Sequence, residues 1–317
     1  CDVITANTFG ANAHKLDGAA TVADVFAAAA ACARAAGAHY VAGDIGPIGA
    51  LLRPLGTLSF DEAYDLFAEE VRAGVDAGVD LFIIETMTDL AEIKAAVLAC
   101  RENSDLPVFA TMTFEEDGRT FLGTSPEVAA ITLDAIGADV LGINCSQGPA
   151  ELRGLAARML TVTDKPVMVQ ANAGLPHVDD DGNTVFDIQA PEYAEAVASM
   201  IADGVSVVGG CCGTTPTHMA ALRTLIDNHT PSPRRRKPSM SVTSAPRDSF
   251  VGSGIAPRTL VTTTARPLGA CTPSHVPPAC KSRPATIPLP SSHAASGAAA
   301  RAWNSSRLPI RISGQSA

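Results

Sequence analysis

The sequence predicts an α/β fold of parallel strands covered by helices. Three observations carry that expectation: seven strand-length apolar runs, Ala-rich stretches of helical spacing between them, and glycines where each helix should stop. The runs are VITANTF at 3–9, YVAGDIG at 40–46, LFIIETM at 81–87, PVFATMTF at 107–114, VLGINCS at 140–146, PVMVQANAG at 166–174 and VSVVGGCCG at 205–213. They are apolar nearly throughout rather than alternating, as strands buried on both faces must be.

The helical stretches carry start and stop signals. In SFDEAYDLFAEEVRAGVDAG, Ser59 and Glu62 have the spacing of a capping box, and Ala63, Phe67, Val71 and Val75 repeat on one face. Pro126 after Ser125 and Pro216 after Thr215 suit the first helical position. Gly37, Gly78, Gly137 and Gly204 each stand just before an apolar run, as glycines closing short αβ loops do. A doubly wound sheet and a (β/α)8 TIM barrel both satisfy this grammar. No GxGxxG or Walker pattern follows the first strand, which favours the barrel, one unit short of eight.

Composition places the barrel at 1–228 and a separate tail at 229–317. Residues 231–317 hold 12 Lys/Arg, one acid (Asp248) and 13 of the 22 prolines, whereas the other 11 basic and 32 acidic residues leave the preceding part at −21. The tail has no sustained period and reads as disordered. Its abrupt change of composition also fits out-of-frame translation of a GC-rich gene. The RRRK run at 234–237 reads as a solvated linker rather than a nucleic-acid patch. Eight cysteines are too few for a disulfide scaffold, and neither a secretory signal nor a long apolar span is present, so a cytoplasmic, reducing location without membrane partners is expected.

In a barrel, functional groups gather where strands end and βα loops begin. Those positions are Asn7, Asp44, Glu85, Thr113, Asn144 with Cys145, Asn172, and Cys211 with Cys212. Cys145 lies two units before Cys211, so the three thiols face one mouth, and three thiolates with an open fourth position suit a catalytic zinc. Spacing alone leaves metal and buried thiols as equal alternatives. Cys32 and Cys100, inside helical stretches, read as small core residues.

GINCSQGP at 142–149 and VVGGCCGTTPTH at 207–218 resemble the homocysteine S-methyltransferase family. The resemblance covers residues 1 to about 228 and implies Cys145, Cys211 and Cys212 as zinc ligands. It implies methyl transfer to homocysteine, giving methionine, with the zinc-activated substrate thiolate as nucleophile and no further catalytic residue. ANTFGAN, VAGDIGPIG, FEEDGRTFLGTSPE and ANAGLP are similar to the homocysteine-binding module of cobalamin-dependent methionine synthases. That likeness implies methylcobalamin on a separate module, with folate and cobalamin modules as partners.

Glu85 is then expected to bind the substrate ammonium, a loop-capping acid being its alternative. Asn144 is expected to touch substrate or support the zinc site, with a barrel-rim hydrogen bond equally open. His218 is expected to be a solvated helix residue. The family's opening strand, with its Asp-Gly-Ala-like motif, is not matched; the chain begins at the second strand, so the missing unit is the first and two strand edges are expected to be exposed. A stand-alone methyltransferase using S-methylmethionine or another onium donor, and an inactive zinc-binding fragment, are the alternative functions.

Overall fold

Side-chain parity along the strands shows how the chain is layered. In this computed structural model, which describes residues 1–226, 240–244, 247–251 and 310–313, Val3, Ala42, Leu81, Ile83, Phe109, Val140, Met168 and Val207 pack together as one buried cluster. Their neighbours of opposite parity, among them Val41, Ile45, Phe82, Ile84, Val108 and Leu141, join the larger cluster formed with the helices. One face of each strand therefore fills a barrel and the other carries the helices.

The strands are β1 (Val3–Thr5), β2 (Tyr40–Ile45), β3 (Leu81–Met87), β4 (Val108–Met112), β5 (Val140–Asn144) and β6 (Val167–Ala171), followed by the small antiparallel hairpin β7 (His177–Val178) and β8 (Thr184–Val185), and then β9 (Val207–Gly210). β1 to β6 pair in sequence, and β6 pairs with β9, all parallel. A short turn of helix, α1 (Ala13–Leu16), precedes α2 (Val22–Ala35). α3 (Phe60–Asp76), α4 (Leu90–Asn103), α5 (Pro126–Ala135), α6 (Pro149–Leu160), α7 (Ala190–Asp203) and α8 (Pro216–Ile226) complete the alternation. All seven expected strands are present, in an incomplete barrel of seven βα units.

Local signals explain the elements. Ser59 and Glu62 form the reciprocal capping box of α3, and Ser125 caps α5 ahead of Pro126. Gly37, Gly78, Gly137 and Gly204 adopt positive φ at the helix ends. The face expected for α3 needs one correction: Ala63, Phe67 and Val71 are buried, but Val75 is exposed. Steps of four residues overshoot the 3.6-residue turn, so three of them rotate the fourth position roughly 120° off the buried face, where Ala73 and Gly74 take over. Cys100 is buried as expected, whereas Cys32 is exposed. On α2 the core face is instead held by Val22, Phe26, Ala30 and Ala33.

The expected gap between β1 and β9 is also corrected. β12 (Ile310–Ser313) lies there, parallel to both, and closes the ring. β10 (Met240–Ser244) and β11 (Arg247–Val251) form a separate antiparallel hairpin. The chain divides into two units, Cys1–Val251 with Leu308–Ala317, and Gly252–Arg307. The expectation of a disordered tail over 229–317 falls mostly outside the described residues. Among the described residues no helix is long and apolar enough to cross a membrane.

Candidate metal centre

Three loops at the C-terminal end of the barrel are tied together by backbone hydrogen bonds, and they carry the cysteines. The Cys145 N–H donates to the Gln170 carbonyl (3.0 Å), the Cys211 N–H to the Ala171 carbonyl (2.8 Å), and the Ala173 N–H to the Cys212 carbonyl (2.9 Å). The Cys212 N–H donates to Asn172 Oδ1 at 3.1 Å. Cys145 and Ser146 both adopt positive φ, 62° and 58°, a conformation costing roughly 1–3 kcal/mol for a non-glycine residue. That kink turns the Cys145 side chain off the axis of β5. Gly213 at φ 75° closes the other loop, where a Cβ would lie 2.2 Å from the Phe186 ring.

The outcome is one thiol cluster. The Sγ atoms of Cys145, Cys211 and Cys212 all lie within 4.8 Å of one another, with Cys145 to Cys212 at 3.9 Å and Cys211 to Cys212 at 4.0 Å. Thiol hydrogen bonds from Cys211 and Cys212 pull the Cys145 thiol down to about 3, against the opposing effect of burial. The same bonds push Cys211 and Cys212 up, because a proton donated to a thiolate is held. The three thiols thus share their protons within one cluster, and a divalent cation can replace those protons. Three soft sulfur donors, free of disulfides and partly accessible, fit a zinc ion with a position left open.

Beside the thiols lies a polar layer of strand-end side chains that point into the barrel. Glu85 is 5% exposed and its Oε2 has no hydrogen-bond partner among the described residues. Burial raises it to about 7, the Cys145 thiolate adds to the rise, and the Gln170 amide opposes it. Asn144 is fully buried: its Oδ1 accepts from the Thr86 N–H (2.8 Å) and the Thr111 hydroxyl (2.7 Å), and its Nδ2 donates to Thr86 Oγ1 (2.7 Å). These bonds hold Thr86 at φ 62°, next to Glu85. Asp44 and Gln170 are also buried; among the described residues neither Asp44 carboxylate oxygen is hydrogen-bonded, and the Gln170 amide faces the Glu85 carboxyl.

His218 departs from expectation. It is buried, with Nδ1 accepting from the Thr215 N–H (3.2 Å) and Nε2 3.0 Å from the Ile188 carbonyl, and its ring stands edge-on to Tyr193. The Tyr193 hydroxyl lies 3.0 Å from the Ala171 carbonyl and 2.8 Å from the Gly209 carbonyl, buttressing the strand that delivers Cys211. Of the expected strand-end residues, the structure groups Glu85 and Cys145 electrostatically and links Asn172 to Cys212. Thr113 instead bonds the Asn144 carbonyl. Gln170 and Tyr193 were not anticipated. Gln170 could have been found from parity, two residues after inward-facing Met168, whereas nothing in EYAEAV distinguishes Tyr193 from an ordinary core residue.

The family model described as Homocysteine S-methyltransferase matches residues 1–226. The chain belongs to the homocysteine S-methyltransferase family. Among its relatives, the methionine synthase of Mycobacterium tuberculosis (strain ATCC 25618 / H37Rv) is 35% identical over 244 residues, covering 72% of this chain and 20% of that protein. The methionine synthase of Mycobacterium leprae (strain TN) is 35% identical over 235 residues, covering 69% and 19%. The chain thus spans about a fifth of the length of these relatives. The metallated and oxidized forms of the homocysteine methyltransferase MmuM from Escherichia coli superpose with TM-scores of 0.57 and 0.60, at 22% and 20% identity, over 71% of this chain and 79% of theirs. At those identities they speak to the family fold.

Proposed function

We propose that this family member binds zinc through Cys145, Cys211 and Cys212 and presents homocysteine for methylation to methionine, as the homocysteine-binding part of a methionine synthase. The observation that carries the reading is the convergence of three thiols within 4.8 Å at the barrel mouth, beside the buried carboxyl of Glu85, whose Oε2 has no hydrogen-bond partner among the described residues. A zinc ion there would accept a fourth sulfur and hold it as thiolate at neutral pH, where a free thiol of pKa ~8.5 is mostly protonated.

The chain's own residues supply the rest. Glu85 accepts the substrate ammonium, Asn144 fixes the backbone that carries Glu85, and the apolar barrel floor keeps water from beneath the reacting sulfur. The substrate sulfur attacks the donor's methyl carbon, and the donor leaves with the bonding electron pair. A methyl donor must approach from the open mouth. Leu51, Leu55, Phe121, Leu175 and Val178, all exposed on βα connections at that end, suit docking of a donor-carrying module. The likeness of ANTFGAN, VAGDIGPIG, FEEDGRTFLGTSPE and ANAGLP to cobalamin-dependent methionine synthases favours methylcobalamin as donor, reloaded from methyltetrahydrofolate on further modules.

Zinc-edge X-ray absorption of the zinc-loaded chain tests the reading. L-Homocysteine should add a fourth sulfur to the coordination shell. Single-turnover assays with methylcobalamin and with S-methylmethionine then distinguish the donors. Activity with S-methylmethionine alone would favour a stand-alone methyltransferase. A zinc-loaded chain whose coordination homocysteine never changes would defeat the proposal and favour an inactive zinc-binding fragment.

A further inference from the structure

The barrel interior holds a group of polar atoms that the fold leaves without partners. Among the described residues, Asp44 is fully buried with neither carboxylate oxygen hydrogen-bonded, and Glu85 Oε2 is likewise unpartnered; Gln170, 1% exposed, turns its amide toward the Glu85 carboxyl. All three share the inward parity. Asp44 follows Ala42 by two residues, Glu85 follows Ile83, and Gln170 follows Met168, and each of those predecessors lies in the barrel-interior cluster. Asp44 pairs with Ile83 across adjacent strands, so its side chain stands one pleat below Glu85 on the same face.

A structural role does not account for Asp44. Burying a carboxyl without a partner is costly, and a side chain retained for stability would find a donor. The Thr8 hydroxyl bonds only the backbone of Asp44, at 2.8 Å to its carbonyl and 2.9 Å from its N–H. Burial raises the Asp44 carboxyl well above the usual carboxylate range, and the neighbouring acids Glu85 and Glu70 raise it further. No cationic side chain is among the groups acting on it, so the pocket has carboxyl oxygens in excess and suits a cation that brings its own N–H donors.

We infer that Asp44 is a second acceptor for the substrate's α-ammonium group, sharing it with Glu85, and that it makes the pocket select α-amino thiols over simple thiols. An ammonium offers three donors, and Asp44, Glu85 and Gln170 Oε1 supply three acceptors. The inference rests on the homocysteine reading above and adds the residue that would recognise the amino end. A thiol lacking that amine would leave Asp44 unpaired, so discrimination falls on the amine rather than the sulfur.

The test compares L-homocysteine with 4-mercaptobutyrate, which lacks only the α-amine, by calorimetric titration of the zinc-loaded full chain. Wild type should bind homocysteine more tightly than 4-mercaptobutyrate. Asp44→Asn should weaken homocysteine roughly tenfold or more, the loss expected for a charged hydrogen bond, and leave 4-mercaptobutyrate within about twofold. Equal weakening of both ligands would mark Asp44 as structural and overturn the inference, as would unchanged homocysteine binding. If Asp44→Asn fails to retain zinc, Asp44→Ser is read by the same pair of ligands. Should wild type bind 4-mercaptobutyrate as well as homocysteine, the Asp44 inference fails while thiol binding stands. If it binds neither, the homocysteine reading fails first and takes this one with it.

Discussion

Cys145 shows why the site depends on single residues. Its left-handed backbone is strained, and Cys211 and Cys212 are placed by hydrogen bonds from the loop after β6, so each thiol arrives through a different constraint. Removing any one leaves two donors, one short of the three that hold a zinc ion with an open position. Cys145→Ala, Cys211→Ala and Cys212→Ala should each lose most of the roughly one zinc per chain, whereas Cys32→Ala should keep it; metal analysis after dialysis reads this directly. Tyr193→Phe, which removes only the hydroxyl facing the Ala171 and Gly209 carbonyls, should weaken zinc about 10-fold, as loss of supporting contacts does. A chelator competition that finds equal affinity would exclude that support. Glu85→Gln should preserve sulfur coordination but cost about 1–3 kcal/mol of homocysteine binding. The cysteines were legible in the sequence through the likeness of GINCSQGP and VVGGCCGTTPTH to the family, since spacing alone leaves metal and buried thiols as equal alternatives. His218 was misread because a histidine in a first helical turn usually faces water, and only the packing of Ile188 and Tyr193 against it reveals its burial.

Elements were legible where their ends carry chemistry. The capping box of α3 and the prolines opening α5 and α8 mark starts that survive any tertiary context. The β7–β8 hairpin was missed because its strands are two residues long, too short for alternation, although Asp181-Gly182 between them is a turn signal. Helix α4 shows an acid that acts on stability. Glu92 is buried, accepts the Ile48 N–H at 2.8 Å, and is raised by burial from 4.5 to about 7. The folded state therefore holds a proton that the unfolded state releases between those values. Stability from this group is full below about pH 4.5 and is lost as pH rises to about 7, by up to about 3 kcal/mol. Glu92→Gln keeps an acceptor for Ile48 and cannot ionise. Relative to wild type, it should gain stability as pH rises from 5 to 8, measured by urea unfolding across that range. A difference between the two proteins that does not change with pH would refute this account of Glu92.

At the scale of the whole molecule, the repeat of apolar runs and helix stops showed seven βα units but not what stands in the eighth position. That could not be read from sequence, because Ile310–Ser313 is four residues within a region that has no period, and of its partners β9 lies about a third of the chain back and β1 nearly the whole chain away. Parallel pairing at such separation costs loop-closure entropy and leaves no local signature. The consequence reaches the metal centre. β12 pairs with all four residues of β9, Val207–Gly210, and Cys211 and Cys212 follow directly. A chain ending at residue 307 should leave the facing edges of β1 and β9 open, and an open edge frays. Hydrogen exchange at Val207–Gly210 should accelerate, thermal stability should fall, and zinc should be lost to a chelator faster than from the full chain. Exchange in β4, across the ring from Ile310–Ser313, should change less. Supplying a family-like first βα unit ahead of Cys1 should occupy the same slot and restore both stability and zinc retention without residues 308–317. If the shortened chain exchanges in β9 and holds zinc as the full chain does, the Ile310–Ser313 strand is dispensable, and the seven units keep the cysteines together unaided.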